Sequence, residues 1–250
     1  MDKLATGIAG LDKLLEGGLP ESSAIGLIGD VDSGKEIICN QIVWSLLNRD
    51  YSILYYAVDK PSEDVRANMV QYNWNVDSYE KDDRLHFVDA FSSGMKIIAE
   101  KMYEKGEMVS PDRINFNFKD MISEGRNYAL KQVLLRKKLF VVYYSMSPLF
   151  TVTDEREVLR FLQYAKYATR ISNAIGIATL HLGIHGTNIE NAFQQLADGI
   201  IELKKKSLDG YAARFLRINK MARTKISESY YPLEITPNGV VVHPFPVTSM

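Results

Sequence analysis

Short apolar runs recur along the chain, separated by segments whose apolar positions fall three or four residues apart. The runs at 24–28, 52–58, 85–88, 139–144 and 174–180 have the length of strands, and several are apolar at nearly every position. A strand with one face in water alternates, whereas a strand covered on both faces does not. The intervening segments 36–47, 62–72 and 154–173 predict helices, and in the last of these Val158, Phe161, Leu162, Ala165 and Ala168 keep close to helical spacing. Ser62 predicts an N-cap, with Glu63 and Asp64 in the first turn. Strand-length runs alternating with amphipathic helices describe an α/β fold, a mostly parallel central sheet flanked by helices.

Past Gly199 the pattern changes. Short strands at 200–203, 214–221, 233–235 and 240–242 are joined by Asp209-Gly210 and Pro237-Asn238-Gly239 turns, which predicts a C-terminal antiparallel extension of the sheet. Residues 92–120 mix Gly94, Gly106 and Pro111 with many charges and read as an irregular insertion or mobile flap. The whole of 1–250 is expected to form one domain. Composition agrees, at 46% hydrophobic and 24% charged residues, with a folded globular chain. A net charge of −1 removes any global attraction to nucleic acid or anionic membrane. The single cysteine, Cys39, has no partner for a disulfide, and no stretch approaches the roughly 20 apolar residues of a membrane span, so a cytoplasmic protein is expected by elimination.

The richest chemistry lies in Gly29-Asp30-Val31-Asp32-Ser33-Gly34-Lys35-Glu36, between a predicted strand and a predicted helix. That is the setting of a phosphate-binding loop, where glycines let backbone N–H groups turn inward and a lysine supplies a cation. Glu36 stands where a hydroxyl would hold Mg²⁺, and is itself a candidate ligand for that ion. Asp30 and Asp32 bring further negative charge, and like charges about 5 Å apart repel by roughly 3 kcal/mol at an effective dielectric near 20. Two readings stay open on these residues: a nucleotide site, or a tight turn in which Lys35 pairs with the loop carboxylates.

Several signatures together resemble the KaiC/RadA type of the RecA superfamily. They are Thr6-Gly7-Ile8-Ala9-Gly10-Leu11-Asp12, Gly17-Gly18-Leu19-Pro20, the loop, the 63–74 segment ending in Tyr72-Asn73-Trp74, then Ala197-Asp198-Gly199 and Tyr231-Pro232-Leu233-Glu234-Ile235. The resemblance covers essentially the whole chain. It implies a RecA-like fold, ATP and Mg²⁺ as cofactors, and assembly with copies of itself or with related KaiC/RadA-like subunits. It also implies where this chain departs from the pattern. Tyr144 stands at the Walker B carboxylate, and Asp59 and Lys60 fall where a catalytic glutamate pair follows the second strand. Lys220 fits the trans-acting Lys-x-Arg pair, but Arg223 is displaced by one position, which on a strand turns it to the other face. Asp59 is the one candidate general base left, beside a lysine expected to pair with it.

The joint changes at Glu36, Tyr144 and Arg223 favour a degenerate, non-hydrolysing protein with weak or absent ATP binding and a regulatory or scaffolding role. A divergent ATPase using Glu36 and Asp59 is the first alternative. A recombinase-paralogue-like, DNA-associated protein is the second, resting on the basic residues Lys204, Lys205, Lys206, Arg214, Arg217, Lys220, Arg223 and Lys225. These read most simply as a solvated sheet edge. His181 and His185 read as a polar rim and not a metal pair, since no third ligand stands out. Tyr55, Tyr56, Tyr143 and Tyr144 read as packing residues of central strands.

Overall fold

A computed structural model describes residues 2–99, 118–208 and 211–247. The chain opens with a two-stranded ribbon, β1 (Lys3–Leu4) and β2 (Leu19–Pro20), around α1 (Ala9–Leu14). The main body follows as β3 (Ala24–Gly29), α2 (Lys35–Leu47), β4 (Tyr51–Ala57), α3 (Ser62–Val70), α4 (Asp77–Lys81), β5 (Leu85–Asp89) and α5 (Ala90–Ala99). Then come α6 (Phe118–Leu134), β6 (Lys138–Tyr144), α7 (Ser147–Val152), α8 (Glu155–Ile171), β7 (Ile175–His181) and α9 (Thr187–Leu196). Four strands end the fold: β8 (Gly199–Leu208), β9 (Tyr211–Met221), β10 (Tyr231–Thr236) and β11 (Gly239–Val242).

Among the described residues nine strands form one sheet in the order β11-β10-β9-β8-β3-β7-β6-β4-β5. The six from β8 to β5 are parallel, and β9, β10 and β11 extend the β8 edge antiparallel. The expected architecture is therefore present, strand by strand. Continuously apolar strands serve two cores at once. Along β4, Ile53, Tyr55 and Ala57 join the core beneath α1, α2 and α3, while Leu54 and Tyr56 join the one beneath α6, α8 and α9. Likewise Phe140, Val142 and Tyr144 of β6 face the α2 side, and Leu139, Val141 and Tyr143 the other. The four tyrosines pack as expected: Tyr56 and Tyr143 stack at 4.6 Å, and the buried Tyr55 hydroxyl donates to Asn40 Oδ1.

Three expectations change. Ser62 is the first helical residue and not the cap, because Pro61 precedes the helix; the Ser62 amide is instead held by Asp89 Oδ2 from the end of β5, at 2.8 Å. The supposed irregular segment 92–120 is helical at both described ends, in α5 and in the start of α6. Its interior, and the Asp209-Gly210 turn, lie outside the described residues. Arg223 is not on a strand, since β9 stops at Met221 and Arg223 occupies the following turn at φ 58°.

Chain order explains where a site belongs. From β3 the chain crosses two strand positions to β4, whereas the connection from β7 passes to β8 on the other side of β3. Such a switch point leaves a crevice beyond the carboxyl ends of the strands. The sheet that frames it depends on β6, whose Phe140 is wholly buried at its centre. Phe140→Ala is expected to lower the free energy of unfolding by about 3–5 kcal/mol, read from urea denaturation followed by circular dichroism.

Candidate functional site

The crevice is a cleft of about 530 Å³ lined by the 31–37 stretch of the loop and α2, by Asp59 and Lys60 after β4, and by Tyr144 and His181 at the ends of β6 and β7. Lys205 of β8, Arg214 of β9 and Ile235 of β10 close its other side. The sequence-derived loop, Asp59 and Tyr144 are thus brought together.

Two backbone features shape the loop. A Cβ on Gly29 would lie 2.2 Å from the Leu203 carbonyl oxygen, so only glycine lets β3 run this close to β8 as it enters the loop. Gly34 precedes α2 in a left-handed conformation at φ 102°, and Asp32 adopts the same region at φ 58°, which aspartate tolerates better than most residues. Lys35 then turns inward and is nearly fully buried. Its Nζ donates to the carbonyl oxygens of Gly29 (2.8 Å) and Asp30 (2.6 Å) and to Ser33 Oγ (3.2 Å). The clamp on Lys35 is thus made by neutral backbone carbonyls and a hydroxyl, not by the loop carboxylates. Burial pulls the Lys35 ammonium down to about 8, with Asp30, Cys39 and Asp32 opposing the shift.

The carboxylates go elsewhere. Asp30 Oδ2 accepts from the backbone N–H of Lys205, 175 residues away in sequence, and so ties the loop to β8 just past the last β3–β8 pair. Glu36 has both oxygens engaged: Oε2 with Lys60 Nζ at 2.7 Å, and Oε1 with Asn68 Nδ2 at 2.8 Å. Lys60 therefore pairs with Glu36 and not with its neighbour Asp59. Its ammonium also lies 5.8 Å from the centre of the Tyr144 ring. Four cations line the cleft (Lys35, Lys60, Lys205 and Arg214) against three carboxylates (Asp32, Glu36 and Asp59). Three carboxylates crowding one ammonium, the picture the loop alone suggests, is not what the folded cleft presents.

Asp59 Oδ1 is buried without a hydrogen-bond partner. Burial pushes this carboxyl up to about 6, with Lys60 opposing and Glu36 reinforcing. Tyr144 ends β6 almost fully buried, and burial together with Glu36 and Asp59 pushes its phenol well up, so it stays neutral. His181, expected at a polar rim, ends β7. It lines the cleft with Nδ1 buried and unpartnered, and burial with Lys35 and His185 pulls its imidazole down to about 4. His185 instead packs near Phe150, with ring centres 5.5 Å apart. Among the described residues no group of three or more His, Cys, Asp or Glu could hold a metal ion.

The basic stretch does not form one face. Lys205 and Arg214 belong to the cleft, Arg214 Nε lying 3.3 Å from the Asp32 carbonyl oxygen. Arg217 pairs with Glu202 at 2.7 Å, and both Arg217 and Lys204 lie against the Tyr230 ring. Lys220 and Arg223 come at the end of β9, beside the start of β8 and so at the opposite end of the sheet from the loop. There Lys220 Nζ donates to the Gln194 carbonyl and Arg223 Nη2 to the Glu21 carbonyl.

A strand, a glycine-hinged loop and a buried lysine opening a helix agree with a family profile that spans nearly all of the sequence. The profile described as the KaiC ATPase matches residues 4–246. The chain belongs to the KaiC ATPase family. Among relatives, a UPF0273 protein of Aeropyrum pernix is 30% identical over 245 residues, covering 98% of this chain and 94% of that protein. A UPF0273 protein of Thermotoga maritima is 30% identical over 250 residues, covering 97% and 96%. In fold the chain is similar to the crystal structure of a KaiC-like protein of Pyrococcus horikoshii, with a TM-score of 0.72, 22% identity, and coverage of 97% and 99%. Among the described residues no helix is long and apolar enough to cross a membrane.

The nucleotide and Mg²⁺ that KaiC family membership suggests fit this cleft unequally. Phosphate oxygens suit a cleft with four cationic side chains and a loop that opens onto a helix N-terminus. Mg²⁺ is served less well: it needs near-octahedral oxygen donors, and here Glu36 already holds an ammonium and an amide, Tyr144 offers only a neutral phenol, and Asp32 and the raised Asp59 carboxyl are the anionic donors that remain.

The raised Asp59 carboxyl yields a pH test. Between its unfolded value of 3.8 and about 6, the folded protein holds this proton more tightly than the unfolded chain does. Stability from this group is therefore lost as pH rises through that window. Asp59→Asn is expected to match the parent below pH 4 and to exceed it by about 2 kcal/mol at pH 7.5, allowing for solvent screening. Urea midpoints at several pH values read the gap, and a gap independent of pH contradicts the assignment.

Proposed function

We propose that this KaiC family protein binds the phosphates of a nucleotide without hydrolysing it, and that it works as a regulatory or scaffolding subunit. The observation that carries this reading is the double engagement of Glu36 by Lys60 and Asn68. Phosphoryl transfer depends on placing a metal, a water and cations together around the transferred group. In this cleft the position next to Lys35 holds a neutralised carboxylate, and the end of β6 holds a buried tyrosine in place of a carboxylate. The cations that remain suffice to hold an anion, which makes binding a better expectation than the loop's own charges suggest.

Assembly with copies of itself or with related KaiC/RadA-like subunits belongs to the same proposal. Lys220 and Arg223 lie far from their own loop, so only a neighbouring subunit could meet a phosphate with them. The DNA-associated reading loses its footing, because Arg214 and Arg217 reach different partners and do not share a basic face. A divergent ATPase keeps one observation in its favour: the unpartnered oxygen of Asp59 is placed in the cleft, with a carboxyl near the pKa of a usable general base.

Phosphate release decides between these readings. With Mg²⁺ and saturating ATP, the purified protein is expected to release phosphate no faster than its Lys35→Ala variant. Turnover that Lys35→Ala abolishes, and that Asp59→Asn lowers by about a hundredfold or more, establishes the divergent ATPase instead.

A further inference from the structure

We propose that Lys60 serves as the resident cation of the phosphate cleft, and that the ligand form the cleft selects is a nucleoside triphosphate free of metal. This rests on the reading that the cleft holds a nucleotide, and it goes further by naming the form bound and the residue that selects it. A triphosphate carries several negative charges on adjacent phosphates, and a site that takes it must supply positive charge there. In a phosphate loop that charge comes from the loop lysine and from a metal held by the next residue. Here the next residue, Glu36, holds an ammonium.

The arrangement is fixed from three sides. Glu36 Oε2 meets Lys60 Nζ at 2.7 Å, Asn68 Nδ2 holds Oε1 at 2.8 Å and so orients the carboxylate, and the Tyr144 ring lies 5.8 Å from the ammonium. An ammonium has three N–H donors, so the bond to Glu36 leaves two for phosphate oxygens. Lys60 is only about one-quarter exposed and lines the cleft, so its charge acts on a ligand with less screening than a surface lysine's. With Lys35, Lys205 and Arg214 it gives the cleft more positive than negative groups before any ligand arrives. A magnesium ion sharing Glu36 would sit beside the Lys60 ammonium and be repelled, and one drawn to Asp32 or Asp59 would still enter a cleft with more cations than carboxylates. Either way, Mg²⁺ complexed to ATP weakens binding where a conventional loop would gain from it.

The test is ATP binding by calorimetric titration of the full chain, in EDTA and then in excess Mg²⁺. The expected result is equal or tighter affinity in EDTA. Lys60→Met is expected to weaken binding in EDTA by about tenfold or more, while Lys60→Arg, which keeps the charge, stays within about threefold of the parent. Thermal melts of both variants separate a lost cation from a lost fold, and the arginine variant keeps the comparison valid if the methionine one is unstable. Affinity that drops tenfold or more when Mg²⁺ is removed overturns this inference and leaves nucleotide binding standing. Unchanged affinity of folded Lys60→Met also overturns it. Absence of ATP binding in both buffers overturns the nucleotide reading itself, and the inference with it.

Discussion

The ion pair between Glu36 and Lys60 ties the first turn of α2 to the segment that leaves β4. A carboxylate opening a helix is locally favourable, because the backbone N–H groups there present partial positive charge. In the middle of a phosphate site the same carboxylate would repel the ligand. Lys60 and Asn68 convert it from an obstacle into a mount for a cation. Around this pair the rest of the cleft falls into order. Lys35 is released from charge pairing and rests on backbone carbonyls, and Asp30 turns away to the Lys205 amide of β8. Asp59, its neighbour lysine drawn off to Glu36, keeps a buried oxygen without a partner.

The sheet gives that pair its place. Strand order sets the end of β3 apart from the end of β4 by two intervening strands, and these, β7 and β6, deliver His181 and Tyr144 between them. Each of these side chains reaches the cleft because it ends a strand packed on both faces, so the lining is held by the core and not by a surface loop. The antiparallel extension adds Arg214 and Ile235 to the far wall. The C-terminal strands therefore help form the site as well as extending the sheet.

Much of this fold was legible because burial on both faces leaves a mark on composition. Strands such as 139–144 are apolar at every step, as a strand covered on both faces is. The first turns of helices were less legible: the group that holds the Ser62 amide is Asp89, which lies 27 residues away and meets it only through the sheet. The helical period of α6 is masked in the sequence because its exposed side carries Leu130, Val133 and Leu134, which blur the period set by the buried Met121 and Tyr128. In the site, residue identities were readable and their pairings were not. Lys60 follows Asp59 in sequence, and adjacency suggested that they pair. The backbone instead sends Lys60 to a carboxylate 24 residues earlier. Lys205 and Arg214 looked like a solvated edge, because only strand order reveals that this edge borders the cleft.

The proposed function requires a cleft that holds a nucleotide and leaves it intact. A single-turnover experiment, with protein in excess over radiolabelled ATP and Mg²⁺ present, tests this most directly. ATP retained by the protein is expected to be recovered uncleaved after hours. Conversion of the bound nucleotide to ADP and phosphate within minutes, approaching one event per site, would contradict it.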